Sequence, residues 1–437
     1  MKTLLTIYLL FVFTNVLLAS KTNEQEFYFE SFSTQNGLTQ NSGYACVQDK
    51  YGYIWLATQD GLCRYDGLKF KKYFKQNTFT KGNMPSGFIQ TLTYDEPEHV
   101  LWIGTPEGLC LLDLAGNRFL KPSELNIKFK TLDTKGIKKI LCDSQHQYWI
   151  ITFFDGIFLI NTKQNSIQQF FSESSNKNNI SDIIKDQNGK IIISTNDQLF
   201  SFESDKFNLL HTDKIPNLRC LKFYNNQLWI GSKTDGIYIL EYNKIKKFNA
   251  YFPKAKLREG KINCFMEDEQ HNLWIGTRGN GLLIFDSSTQ TITRLTKVQE
   301  RKFSIGSNYI ISLFQDKQQN VWIGTSGGGF SKYYANNLFL NTLNFTFLDK
   351  MVFSVLKDND NFYTGTQNDG FIKYNSINQL IKVFNSKSSK FPIGTVYQIC
   401  STLQDTLFIA TENGLVLFEK KSEKMNEPRR RAARYRC

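Results

Sequence analysis

The stretch Tyr53–Tyr73, YIWLATQDGLCRYDGLKFKKY, recurs with drift down the whole chain. Clear copies are VLWIGTPEGLCLLD (100–113), YWIITFFDGIFLIN (148–161), LWIGSKTDGIYILE (228–241), LWIGTRGNGLLIFD (273–286) and VWIGTSGGGFSKYY (321–334). Three worn copies complete the set: IIISTNDQLFSFE (191–203), FYTGTQNDGFIKY (362–374) and LFIATENGLVLFE (407–419). The Trp or its substitute marks each copy: Trp55, Trp102, Trp149, Ile192, Trp229, Trp274, Trp322, Tyr363 and Phe408. Spacings run from 37 (192 to 229) to 48 (274 to 322), and all six Trp of the chain hold this position. A period of this length marks stacked units that cannot bury their apolar faces alone.

Within a copy, Tyr53–Thr58 and Leu62–Asp66 read as short strands joined by Gln59-Asp60-Gly61. The Gly before the second strand suits a hairpin that needs positive φ, which Gly adopts without a Cβ clash. Another apolar strand, ending in an acid and a polar turn, precedes each marker, as in YACVQDKYGYIW and INCFMEDEQHNLW. A fourth strand follows, as in LKFKKYF (68–74). Four antiparallel strands per period make a β-propeller blade, and no window keeps a 3.6-residue period, so helices should be few. The fold class is therefore all-β.

The marker ring should fill the wedge between neighbouring blades, and the small residue two positions on should let the next sheet approach. The marker Trp residues are thus core and not a sugar-stacking site. Seven units fill about 27–340, and Phe27–Ser33 reads as an outer strand that completes the seventh. Closing the ring this way removes the open sheet edge. The rhythm breaks at 338–348, and residues 341–419 read as the first two blades of a second, unfinished ring.

Residues 1–20 carry one Lys, an apolar run from Leu4 to Leu18 and then Ala19-Ser20, the pattern of a secretory signal peptide. No other segment has 18 consecutive apolar residues. Of the eight Cys, Cys46, Cys142, Cys220, Cys264 and Cys400 lie in first strands of different blades, and Cys63 and Cys110 share a third-strand slot. Equivalent slots in adjacent blades lie beyond disulfide reach, so free thiols are expected. The net charge of +13 would suggest nucleic acid, yet residues 420–437 alone supply +6, from three Lys and five Arg against two Glu. That basic, disordered tail has an arginine density found nowhere else in the chain, which reads as a fused or frameshifted end. The remaining Lys residues are spread over polar loops as a solvated surface. No nucleic-acid partner is expected.

His99, His146 and His271 each stand three residues before a Trp, so they are one turn position repeated in three blades. No His or Cys pair has metal-ligand spacing, and no metal or other cofactor is expected. The acids Asp49, Asp143, Asp268 and Asp316 sit where a turn needs side-chain acceptors. The glycines of TSGGG (325–329) open no helix, so a phosphate loop is not supported. The face with the Trp-strand hairpins and the long connections between blades is where a ligand site belongs. Its candidates are Gln59, Asp60, Glu107, Phe154, Asp155, Lys233, Asp235, Arg278 and Asn280: amides, acids, cations and an aromatic, the groups a sugar surface uses.

The run from Asn36 to Phe74 resembles the opening of the two-component regulator propeller family. The family unit is matched by Asn36-Gly37-Leu38, Gln48-Asp49, Ile54–Thr58, Gly61-Leu62 and Arg64–Asp66. The resemblance covers 27–419. It implies two tandem seven-bladed propellers facing the periplasm, followed by a sandwich domain, a membrane helix and a histidine kinase, and typically the detection of oligosaccharides from polysaccharide breakdown. This chain stops two blades into the second ring, so any membrane link would run through parts that it lacks. The expected function is a non-catalytic periplasmic sensing module of a two-component system, with an oligosaccharide ligand; a homodimer is left open. A propeller lyase or hydrolase and a protein-interaction scaffold are the alternatives. The family motif supplies structural residues only.

Overall fold

The computed structural model describes residues 27–75, 83–143, 146–171, 179–252, 260–299, 303–335, 351–358, 361–367, 370–375, 380–385, 394–401 and 405–426. The expected signal peptide and the expected break at 338–348 lie outside the described residues. Nine four-stranded antiparallel sheets are present among the described residues, eight of them running in sequence order from an inner to an outer strand. Blade 1 is Gly43–Gln48, Ile54–Thr58, Leu62–Tyr65 and Phe70–Tyr73. The chain divides between Ala335 and Asn336 into two compact units, of seven and two sheets.

The seventh sheet draws on both ends of the first unit. Ile310–Gln315, Val321–Thr325 and Phe330–Tyr333 supply three strands, and Phe29–Phe32 adds the outer one, with Phe29 opposite Tyr333 and Phe32 opposite Phe330. The innermost strand of this blade packs on that of blade 1, which closes the ring.

Each marker side chain works across a blade boundary. Trp55 packs among Ile89, Leu92, Leu101 and Ile103 of blade 2. Trp102 meets Ile137, Tyr148 and Ile150 of blade 3, and Trp322 meets Leu38, Ile54 and Leu56 of blade 1. All six Trp are buried. Burying such a ring removes its large apolar surface from water, the main favourable term in folding. The small residue two positions on is needed for the same approach. A Cβ on Gly276 would stand 2.8 Å from Ile310 of the next blade, and one on Gly324 would stand 2.4 Å from the Gly43 carbonyl oxygen.

The ninth marker departs from this pattern. Phe408 is 39% exposed, whereas Tyr363, the eighth marker, is 1% exposed beneath Val396, Ile399 and Leu407 of the ninth sheet. A marker ring is buried by the blade that follows, and no described blade follows the ninth. One further expectation needs correction. The tail does not begin at 420, because Lys424–Asn426 is the outer strand of the ninth sheet, paired with Leu417–Glu419. The connection 121–135 forms the helix Pro122–Leu125 and the 3-10 turn Ile127–Asp133, and it buries Phe129 and Leu132.

The seven described Cys are free; Cys46, Cys63, Cys110 and Cys220 are buried. Among the described residues no helix is long and apolar enough to cross a membrane, and no group of three His, Cys, Asp or Glu could hold a metal ion.

Candidate ligand-binding site at the ring axis

Five of the seven inner strands of the first unit share an irregularity. Their pairing with the Trp strand slips by one residue at Tyr44, Lys138, Arg219, Asn263 and Ile311. A bulge of this kind leaves one residue unpaired and re-aims its side chain. It falls near the strand start, on the face that carries the Trp-strand hairpins.

The hairpins reach the same place. The first turn residue donates its backbone N–H to the residue just before the inner strand: Gln59 to Ser42, Phe153 to Gly136, Lys233 to Asn217 and Arg278 to Lys261. These turn residues therefore form an inner rim around the axis, beside the bulged residues.

Several rim side chains act on one another. The Lys138 ammonium is pushed down to about 8 by burial first, then by the positive charges of Lys233 and Arg219, with Asp182 opposing. Lys233 is lowered by burial and then by Arg219. The Tyr44 hydroxyl is raised by burial and by Tyr309, and lowered by Arg219. Tyr44 packs edge-on against Phe88, ring centroids 4.6 Å apart. The Arg278 guanidinium lies 5.2 Å from the Tyr309 ring.

The one acid among these groups is already engaged. Asp182 pairs with Lys139 and accepts the backbone N–H of Leu221 at 2.8 Å. Lys138 donates to Asn179 and to the Ile180 carbonyl, which ties blade 3 to blade 4 but does not neutralise it. Arg219 and Lys233 have no acidic partner among the described residues. The mouth of the ring is thus a half-buried cationic patch framed by Tyr44, Phe88 and Tyr309. A guanidinium with open donors can grip a carboxylate or sulfate through two parallel hydrogen bonds.

The nine residues expected from sequence divide into two groups. Lys233 and Arg278 stand at this mouth. Three acids are already paired: Glu107 with Lys75 at 3.0 Å, Asp155 with Lys135, and Asp235 with Lys247 at 2.8 Å. The Asp235 carboxyl is held low by Lys247 and Tyr238. Gln59 and Asp60 are exposed at the turn of blade 1. Phe154 is 88% exposed beside Phe153. Asn280 is held in its own turn by a backbone N–H bond to the Thr277 hydroxyl, 3.0 Å.

Tyr44, Lys138 and Arg219 escaped the sequence reading because they lie in strands assigned to the core. The signal was present. Aligned on the Trp, the column ten or eleven residues upstream reads Tyr44, Thr91, Lys138, Arg219, Asn263 and Ile311, polar in all but the last and set inside an apolar strand.

The histidines stand apart from this mouth. His99, His146 and His271 occupy left-handed turn positions on the short-turn face. His211 is buried and accepts the Asp213 N–H at 3.0 Å, a structural role.

Comparison with known proteins agrees with this architecture. Residues 256–279 and 304–327 match the family model described as two component regulator propeller, so the chain carries that repeat. The solved extracellular domain of a hybrid two component system from B. thetaiotaomicron is 19% identical with a TM-score of 0.61, over 92% of this chain and 55% of that one. A second extracellular domain from the same organism gives 18% identity and a TM-score of 0.59, over 92% and 54%. This chain therefore spans about half the length of those domains. Virginiamycin B lyase from Staphylococcus aureus is 14% identical with a TM-score of 0.52, over 70% of this chain and 99% of that one. In sequence, Histidine kinase P4 of Formosa agariphila is 36% identical over 67 residues, which is 15% of this chain and 5% of that protein.

Proposed function

We propose that this chain is the ligand-sensing propeller region of a two-component system, that it works in the periplasm, and that it binds an oligosaccharide carrying acidic groups without cleaving it. The observation that carries the reading is the cationic mouth: among the described residues Arg219 and Lys233 have no acidic partner beside Lys138, with aromatic rings at hand. Sulfate or carboxylate groups would answer the cations, and sugar rings would lie against Tyr44 or Tyr309. The regulator propeller repeat and the extracellular two-component neighbours favour a sensor. The lyase neighbour shows that the fold also serves an enzyme. Against that reading, His99, His146 and His271 lie on the opposite face from the cationic mouth.

The test is a glycan array of neutral, carboxylated and sulfated oligosaccharides, followed by product analysis on every hit. Saturable binding of acidic chains that are recovered intact supports sensing. Shortened or unsaturated products would make the chain an enzyme, and binding confined to neutral chains would remove the role of the cations.

A further inference from the structure

The short-turn face holds a second site, remote from the axial mouth and independent of it. Blades 1 and 2 enclose a cavity of about 340 Å3 there. Tyr51, Tyr53, Tyr73 and His99 supply aromatic walls. Arg64, opposite Trp55 in the sheet, enters between them. Its guanidinium carbon lies 4.2 Å from the Tyr53 ring centroid and 6.0 Å from that of Trp55.

The hydrogen-bonding state of Arg64 is unusual. Its Nε is enclosed and has no acceptor, and no described residue accepts from the rest of the guanidinium. An enclosed donor left without an acceptor is costly, because it has given up its hydrogen bond to water and gained none in return. Neighbouring acids are engaged elsewhere. Asp49 accepts the N–H groups of Tyr51 at 2.9 Å and Tyr53 at 3.1 Å, and the Trp55 indole at 2.9 Å. Asp66 accepts the N–H groups of Leu68 and Lys69 at 2.9 and 2.7 Å. Two further cations border the walls: Lys50 lies 5.4 Å from the Tyr51 ring and Lys71 lies 4.9 Å from the Tyr73 ring. Asn117, on the rim, uses its oxygen for Tyr73 and Lys71, and its NH2 group has no acceptor among the described residues.

Packing of a cation on an aromatic does not account for all of this. In blade 8 the corresponding Lys373 is neutralised by Glu423 at 2.7 Å. In blade 7 Lys332 lies 5.1 Å from Trp322 and 4.1 Å from Tyr334. Arg64 instead combines a forked donor with a cavity whose lining carboxylate, Asp49, is taken up by three N–H groups.

We propose that the cavity between blades 1 and 2 binds a small carboxylate built on a single ring, with Arg64 gripping the carboxylate and Tyr51, Tyr53 and Tyr73 facing the ring. The guanidinium fork matches two carboxylate oxygens. The volume lies at the lower end of small-ligand sites and suits one ring. Asn117 offers its amide hydrogens to a second polar group. A sugar acid and an aromatic acid share this chemistry.

The experiment is calorimetric titration of the full chain with D-glucuronate, benzoate and D-glucose. At least one of the two acids binds, and glucose binds at least about tenfold more weakly. Arg64→Gln weakens the bound acid by about tenfold or more, and Tyr51→Ala, which removes a ring that is 68% exposed, weakens it about threefold or more. Preference for glucuronate identifies a sugar acid as the ligand class, and preference for benzoate an aromatic acid. If Arg64→Gln does not fold, Tyr51→Ala and Asn117→Ala decide. The proposal is overturned if neither acid binds, if glucose binds equally well, or if the folded site variants bind like the parent.

Discussion

Trp322 stacks on Phe32, ring centroids 5.5 Å apart and planes 22° from parallel. One belongs to the seventh marker and the other to the first described strand. The contact therefore joins the two ends of the ring, and Tyr65 of blade 1 packs against both rings. Removing Phe32 leaves a cavity at the closure. Phe32→Ala should destabilise the first unit by about 3–5 kcal/mol, as aromatic-to-Ala changes in cores do. Trp102→Ala, at an ordinary boundary, should cost the same. Chemical denaturation measures both, and a loss under about 1 kcal/mol would mean that the boundary is not packed.

In three blades the marker Trp, Trp55, Trp274 or Trp322, is also held by the acid six residues before it. Trp322 donates from Nε1 to Asp316 at 2.9 Å, and Trp274 to Asp268 at 2.7 Å. Each carboxylate also caps its turn, since Asp316 accepts the N–H groups of Gln318 and Asn320. Asp316→Ala strands a buried indole N–H and two turn donors, and should cost about 2–4 kcal/mol. Trp229 provides the comparison: its blade has no acid at this position and its Nε1 has no partner. Trp229→Phe should therefore cost less than Trp322→Phe in the same denaturation assay.

Burial pushes the Cys110 and Cys264 thiols up to about 12 and Cys142 to about 11, against an ordinary value of 9.0. The unfolded chain then ionises these thiols at lower pH than the folded chain. The folded state binds more protons between pH 9 and about 12, so stability is full below pH 9 and is lost as pH rises through that window. Thermal melts at pH 8, 9.5 and 11 should show a falling melting temperature, and replacing Cys110 with Ala should reduce the slope. A flat profile would place these thiols in water.

The period, the antiparallel blades and the closing strand were legible because each rests on a repeated physical need. A Trp must be covered, a Gly must admit the next sheet, and an orphan strand must pair. The exposure of Phe408 was legible less easily, since it depends on a neighbour and not on the repeat. The axial site was only half legible. Lys233 and Arg278 sit in turns, where polar residues invite attention. Lys138 and Arg219 sit in strands that otherwise read as core, at a one-residue bulge. The slip itself is not written in any one strand and shows only when the blades are aligned on the Trp. Likewise, the engagement of Glu107, Asp155 and Asp235 depends on lysines of distant loops and outer strands.

Lys138 gives the axial site a pH signature. With its ammonium pushed down to about 8, it is charged at pH 7 and largely neutral at pH 9. Affinity for an acidic oligosaccharide should fall over that interval, and Lys138→Met should bind more weakly at pH 7 and lose the fall. Arg219 and Lys233 flank this group and Asp182 opposes them, so Lys139→Met, which frees Asp182, should also weaken binding. Titrations at three pH values measure the effect.

Entry of acidic ligands through the axial mouth is decided by calorimetric titration of the full chain and its Arg219→Ala/Lys233→Ala double variant with an acidic oligosaccharide selected on the array. The parent should show saturable binding, and the double variant should bind about tenfold or more weakly at an unchanged melting temperature. Equal affinity in the two proteins would rule the axial mouth out as the binding site.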